Sequence, residues 1–142
     1  MCDSSPALAN NDWIREYVGI PFQACGRDAG ALDCWGLVCR VYRDRFGVEL
    51  PVYAEAYSAL LARVCDSAEA PGAEGWKELQ KPAHLCVVAM SFRASRAMHH
   101  VGVFLDVDGG KILHALAPAS ALHTKAMLRD MGYHTFRFYE RL

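Results

Sequence analysis

In the stretch LDCWGLVCRVYRDRFGVELP, residues 32–51, an aspartate and a cysteine stand where an amphipathic pattern begins. Asp33 is a good N-cap residue, which places Cys34 in the first turn of the helix it opens. Backbone N–H groups without helical partners and the positive end of the helix dipole favour a thiolate over a thiol there. That setting lowers the ordinary cysteine pKa of about 8.5 and makes the sulfur a nucleophile near neutral pH. The same N–H groups can receive the oxyanion of a tetrahedral intermediate, so one helix start can supply attack and stabilisation together. The competing reading is a buried structural cysteine, the commoner fate of a lone one. Cys39, on the same helix without an end position, takes that second reading.

A nucleophilic cysteine needs a base, usually histidine, and often a third group that orients the base. The histidines are His84, His99, His100, His114, His123 and His134. In a strand over 99–105 side chains alternate, so His100, Gly102 and Phe104 share one face and His99, Val101 and Val103 the other. A three-residue loop at 107–109 would pair His114 with Gly102 and set it diagonal to His100. Two histidines would then project from one face, with a glycine between them leaving room for a helix end or a ligand. His100 is thus a candidate base and His114 its candidate orienter. The alternative for His114, inside ILHAL, is a satisfied core histidine. His84, His123 and His134 have no supporting context and read as structural or surface residues.

The elements that must position these groups fall into two halves. NNDWIREYVGI reads as a short helix closed before Gly19 and Pro21, and PFQACGRDAGAL as a loop punctuated by Gly26 and Gly30. From Asp33 the pairs Leu37/Val41 and Val38/Tyr42 fall at i and i+4, Arg40, Arg43, Asp44 and Arg45 hold the polar side, and Gly47 sits where a C-cap would. Residues 54–65 give a third helix, followed by a linker-like CDSAEAPGAEG at 65–75. The back half offers strands at 85–92, 99–105, 111–116 and 134–140, with a hairpin signal at DVDGG and a helix at about 121–131 before the last strand. Helices followed by strands make an α+β domain, one domain over 1–142, with the cleft expected between the 33–46 helix and the sheet.

Composition bounds the partners. Hydrophobic residues are 53% and charged residues 22% of 142, with a formal net charge of -1. A chain so balanced has no basic footprint for nucleic acid. No apolar run approaches the roughly 20 residues of a membrane span. The N-terminal MCDSSPALANND lacks the layout of a secretory signal, so the chain is expected to be cytoplasmic as synthesised unless a larger assembly carries it out. Cys2, Cys25, Cys34, Cys39, Cys65 and Cys86 contain no C-x-x-C pair, and free thiols without structural zinc are expected.

DCWGLVCRVYRDRFGVELP followed by HHVGVFLDVDGGKILHA resembles the NlpC family of papain-like cysteine peptidases. That family carries its nucleophile in a D-C-x-G-L motif at a helix start, its base in an H-V-G strand and its third residue one strand later. The upstream YVGIPFQACGRDAGALDCWG is similar to the family's lead-in, and Trp35 is most like the phage-tail-associated members. The resemblance covers about residues 14–116. It implies a papain-like α+β fold with N-terminal helices on an antiparallel sheet. It further implies Cys34 as nucleophile, His100 as general base and later acid, His114 as orienter, and Asp33 as a holder of the substrate's free amine. The implied substrate is a peptidoglycan stem peptide, cut between γ-D-glutamate and a diamino acid, with no cofactor or metal and with phage-tail or secretion-apparatus proteins as partners.

Three positions depart from the family pattern. Phe22 stands where many members have a substrate-binding tyrosine, so a hydroxyl donor is missing there; Trp35 is a second candidate substrate contact, as a lining of the cleft, with packing into the core as its alternative. Ala24-Cys25-Gly26 replaces an aromatic-Gly-Gly run, and His84 stands where an aspartate is usual. Three other readings use the same residues: a non-catalytic assembly component, an acyltransferase, and a metal site of Cys34, His100 and His114.

Overall fold

The structure, a computed structural model, describes residues 12–24, 27–28, 30–50, 76–92, 98 and 100–141. The expected helix at 54–65 lies outside the described residues, as do Cys2, Cys25, Cys65 and His99. The chain order is a 3-10 helix (Asp12–Tyr17), β1 (Arg27–Asp28), β2 (Ala31–Leu32), α1 (Cys34–Phe46), β3 (Trp76–Leu79), β4 (Val87–Ser91), β5 (His100–Leu105), β6 (Lys111–His114), β7 (Ala121–His123), α2 (Lys125–Asp130) and β8 (Thr135–Arg141).

The helix α1 starts and stops where its residues dictate. Asp33 has extended backbone angles, and its carboxylate accepts a 2.6 Å hydrogen bond from the Gly36 N–H, satisfying one of the donors that a helix start leaves unpaired. At the other end Gly47 takes φ 67°, a left-handed conformation that costs glycine nothing, and its N–H donates to carbonyls of the last turn. Leu37, Val38, Val41 and Tyr42 bury one stripe of the helix, while Arg43, Asp44 and Arg45 face water. The Tyr17 hydroxyl donates to Asp44 at 2.6 Å and fastens the 3-10 helix to this outer side. The short helix expected in the N-terminal segment is present, as two turns of 3-10 helix.

Six strands form one sheet in the order β3-β8-β4-β5-β6-β7, each neighbour antiparallel. β1 and β2 pair within the stretch read as a loop, and two elements around the large sheet also differ from the sequence reading. β3 lies just beyond the linker-like stretch and pairs with the last strand, where Arg137 grips Glu78 through two hydrogen bonds of 2.7 and 3.1 Å. The helix expected at 121–131 is divided: 121–123 extends the sheet along the open edge of β6, and only Lys125–Asp130 is helical. Thr124 is the boundary, because its extended backbone and its side-chain bond from the Met127 N–H make it an N-cap.

The sheet has a core on each side. Val87, Ala89, Val101, Val103, Leu105, Leu113 and Tyr139 pack with Leu37, Val38 and Val41 of α1. The alternate residues Val88, Met90 and Ile112 pack with Leu128 of α2 and with Tyr133, flanked by Phe104, Phe136 and Phe138. Each fully buried aliphatic side chain contributes roughly 1.5–3 kcal/mol relative to exposure. Between β5 and β6 the close approach needs a glycine: a Cβ on Gly102 would lie 2.7 Å from the Leu113 carbonyl and 2.9 Å from Ile112 Cγ2.

Candidate active site

Two of the sequence-predicted residues, His100 and His114, meet directly, and Cys34 is linked to them through Tyr133. Cys34 is the first residue of α1 and 2% exposed, His100 opens β5, and His114 closes β6 and is fully buried. The β5–β6 register is Gly102↔His114 with Leu105↔Lys111 as its last pair, the register expected from a loop centred on 107–109. His114 is therefore diagonal to His100 on one face, and His100 Nε2 lies 2.8 Å from His114 Nδ1.

Tyr133 ties the thiol to this pair. Its ring stacks on His100 with centroids 5.4 Å apart, and its hydroxyl pKa is raised first by burial and then by its electrostatic interaction with Cys34. The residue thus stands beside both groups, and the sequence reading did not single it out. Strand alternation puts His100 on the face opposite Val101, which packs beneath α1. The histidine face is thus not the one covered by the flank of α1, and Cys34 is the first residue of that helix.

Burial, followed by the neighbouring His100 and His123, pushes the His114 pKa down to about 3. A neutral ring with one donor and one acceptor nitrogen is the form that can orient a second imidazole. The facing nitrogens of His100 and His114 are engaged with each other, which does not suit the alternative of a metal shared with Cys34. His114 is also bonded on its other side, where its Nε2 lies 2.8 Å from Nδ1 of His123. His123 is thus joined to the pair, a contact that its sequence context did not indicate. Strand parity would have found it had 121–123 been recognised as a strand, because His123 pairs with Ile112, two residues from His114 on the same face.

The other candidates are placed as follows. Trp35 is 1% exposed with its ring 6.4 Å from that of Trp76, so it is core rather than cleft wall. A side chain one residue past an N-terminal nucleophile turns under the helix, and here β3 supplies the partner that covers it. Asp33 is fully buried and acts as the cap of α1. Phe22 is half-buried against the main core, bridged to Leu32 and donating its N–H to the Pro118 carbonyl at 3.0 Å, which holds its loop two residues from Cys34. His84 accepts from the Asp106 N–H at 3.0 Å beside Leu85, whose φ is 69°, so the turn at this departure from the family pattern is unlike an ordinary strand entry. Cys86, by contrast with Cys34, is a packed thiol that burial pushes up to about 11.

A profile of the NlpC/P60 family matches residues 19–138. Among solved structures, the NlpC/p60 domain of the peptidoglycan hydrolase SagA is similar at 16% identity and a TM-score of 0.56, over 88% of this chain and 93% of that one. A protein described as similar to lipoprotein, of the NLP/P60 family, from Staphylococcus aureus subsp. aureus Mu50 is similar at 16% identity and a TM-score of 0.53. That match takes in 94% of this chain but only 42% of the staphylococcal one. Among curated proteins none matches the chain. The likeness of Trp35 to phage-tail members has no counterpart in these comparisons. The fold is the papain-like α+β arrangement expected from the DCWG and HVG motifs, and the chain belongs to the NlpC/P60 family of cysteine peptidases.

Proposed function

We propose that this protein hydrolyses peptidoglycan stem peptides at the bond between γ-D-glutamate and a diamino acid, through a thioester on Cys34. The observation that carries the reading is the 2.8 Å bond between His100 and His114, with Cys34 at the capped start of α1. Because His100 Nε2 is turned to His114, Nδ1 is the nitrogen that exchanges the thiol proton. Cys34 Sγ attacks the amide carbonyl, and N–H groups at the start of α1 receive the developing oxyanion. His100 then gives its proton to the leaving amine, and the C–N bond breaks. Water attacks the thioester with His100 as base, releasing the carboxylate and restoring the thiol. Phe22, on a segment that flanks Cys34, is the proposed substrate contact, and Asp33, buried as the cap of α1, holds the helix start that bears Cys34.

Family membership and the peptidoglycan hydrolase among the similar structures support the substrate class. The test is incubation of the reduced, metal-free protein with γ-D-Glu–diaminopimelate stem peptides, read by mass spectrometry beside Cys34→Ala. Cleavage that vanishes in the variant upholds the reading. Equal cleavage by both proteins rejects Cys34 as nucleophile, and no cleavage by either rejects this substrate.

A further inference from the structure

The bond from His100 to His114 continues to a third imidazole. His114 Nε2 and His123 Nδ1 are 2.8 Å apart, with ring centroids separated by 5.1 Å. A neutral imidazole has one N–H and one bare nitrogen, and each contact needs one donor and one acceptor. His114, buried between the other two, therefore accepts at one nitrogen and donates at the other.

Two arrangements satisfy both contacts. In the first, His100 Nε2–H donates to His114 Nδ1 and His114 Nε2–H donates to His123 Nδ1. In the second, every bond is reversed: His123 Nδ1–H donates to His114 Nε2, His114 Nδ1–H donates to His100 Nε2, and the proton of neutral His100 sits on Nδ1. A base that takes the thiol proton at Nδ1 must begin with that nitrogen bare. Once His100 is an imidazolium, its Nε2–H also needs an acceptor at His114 Nδ1. Only the first arrangement meets both demands, and the half-buried terminal ring decides which one forms.

We propose that His123 is a positioning residue: by presenting a bare Nδ1 to His114 Nε2–H, it holds His114 in the tautomer that accepts from His100. The consequence for His100 rests on the proposed peptidase reading. The two hydrogen bonds alone require His114 to accept at one nitrogen and donate at the other, and the bare Nδ1 of His123 selects which. The geometry is that of a residue orienting an orienter, as outer partners do for ligating histidines. It comes from the pairing of β7 with β6, which sets His123 diagonal to His114 just as the β5–β6 register sets His114 diagonal to His100.

The test uses the full chain labelled with nitrogen-15, in which long-range proton–nitrogen spectra of the imidazoles report which nitrogen of each ring carries the proton. In the wild-type protein His114 is expected to be protonated at Nε2 only. His123→Ala should shift His114 toward Nδ1–H and lower kcat by about 10–100-fold, with KM little changed. His123→Asn, whose side-chain oxygen is as many bonds from Cβ as Nδ1 is, should recover most of both. A wild-type His114 protonated at Nδ1 overturns the proposal, as does an unchanged tautomer and kcat in folded His123→Ala. If the alanine variant does not fold, the wild-type spectrum alone decides. Wild-type protein inert on stem peptides would reject the peptidase reading, while the tautomer in the same sample would still uphold or reject the role of His123.

Discussion

The two faces of the six-stranded sheet are built from alternate residues of the same strands, yet they do different work. Toward α1, β4, β5 and β6 present Val87, Ala89, Val101, Val103, Leu105 and Leu113, all buried and apolar. On the other face the same strands present Val88, Met90 and Ile112 together with His100, Gly102 and His114. The aliphatic side chains of that face need only shape and volume to be stable. A face that buries imidazoles needs a partner for each ring nitrogen it hides, and here the rings partner one another across three strands. The comparison shows how a single residue of offset separates the stabilising role from the chemical one, and why the register of β5, β6 and β7 matters more to the second face than to the first.

Perturbations should separate the faces. On the chemical side, Cys34→Ala and His100→Ala should each reduce kcat by at least about 10⁴-fold, because residues acting as a catalytic unit fail together. Steady-state kinetics with unfolding curves near wild type would check it, and either variant retaining a tenth of the activity would break the assignment. On the α1 side, Leu105→Ala should remove about 2–5 kcal/mol of stability through lost burial and a residual cavity. Its folded fraction should keep the wild-type kcat, and a large fall in kcat would mean that the faces are not independent.

Gly102→Ala lies on the seam. The added methyl would press on the Leu113 carbonyl and on Ile112, and such overpacking costs about 1–3 kcal/mol. Because His114 Cβ is only 3.0 Å from the same methyl position, kcat should fall as well. A loss of stability with kcat intact would show that the histidine pair tolerates strand displacement. The smallest effect concerns pH. His114 has a folded pKa of about 3, below the usual histidine value, so the unfolded chain binds the extra proton in between. Its contribution is present in full above pH 6.5 and is lost progressively as pH falls toward 3, amounting to about 1.4 kcal/mol by pH 5.5. Urea unfolding at pH 7.5 and 5.5 should show this difference in the wild type and a smaller one in His114→Asn. Equal differences in both would mean that His114 is not the group responsible.

Much of the geometry around Cys34 and the two histidines is legible in the sequence. The bounds of α1 follow from Asp33 and Gly47, whose capping chemistry is local. The face shared by His100 and His114 follows from strand alternation and a short hairpin loop, which is nearly local. His123 escaped because 121–123 forms a strand only by adding to β6, and nothing in its own residues outweighs the helical pattern that continues into α2. Tyr133 escaped because the loop after α2 returns it to His100 from a distance in sequence.

The sequence by itself determined the chemistry on offer: a cysteine at a capped helix start, a histidine opening a strand, a second histidine in register, and the motifs by which the family is known. Only the tertiary structure decided what covers and what joins these groups. Trp35 became core because β3 brought Trp76 against it, and the histidine pair became a row of three because β7 docked on β6. Capping and alternation are set by neighbours in the chain, whereas burial and ring-to-ring hydrogen bonds are set by which strands meet. That meeting depends on apolar surface summed over the whole sheet rather than on any short stretch.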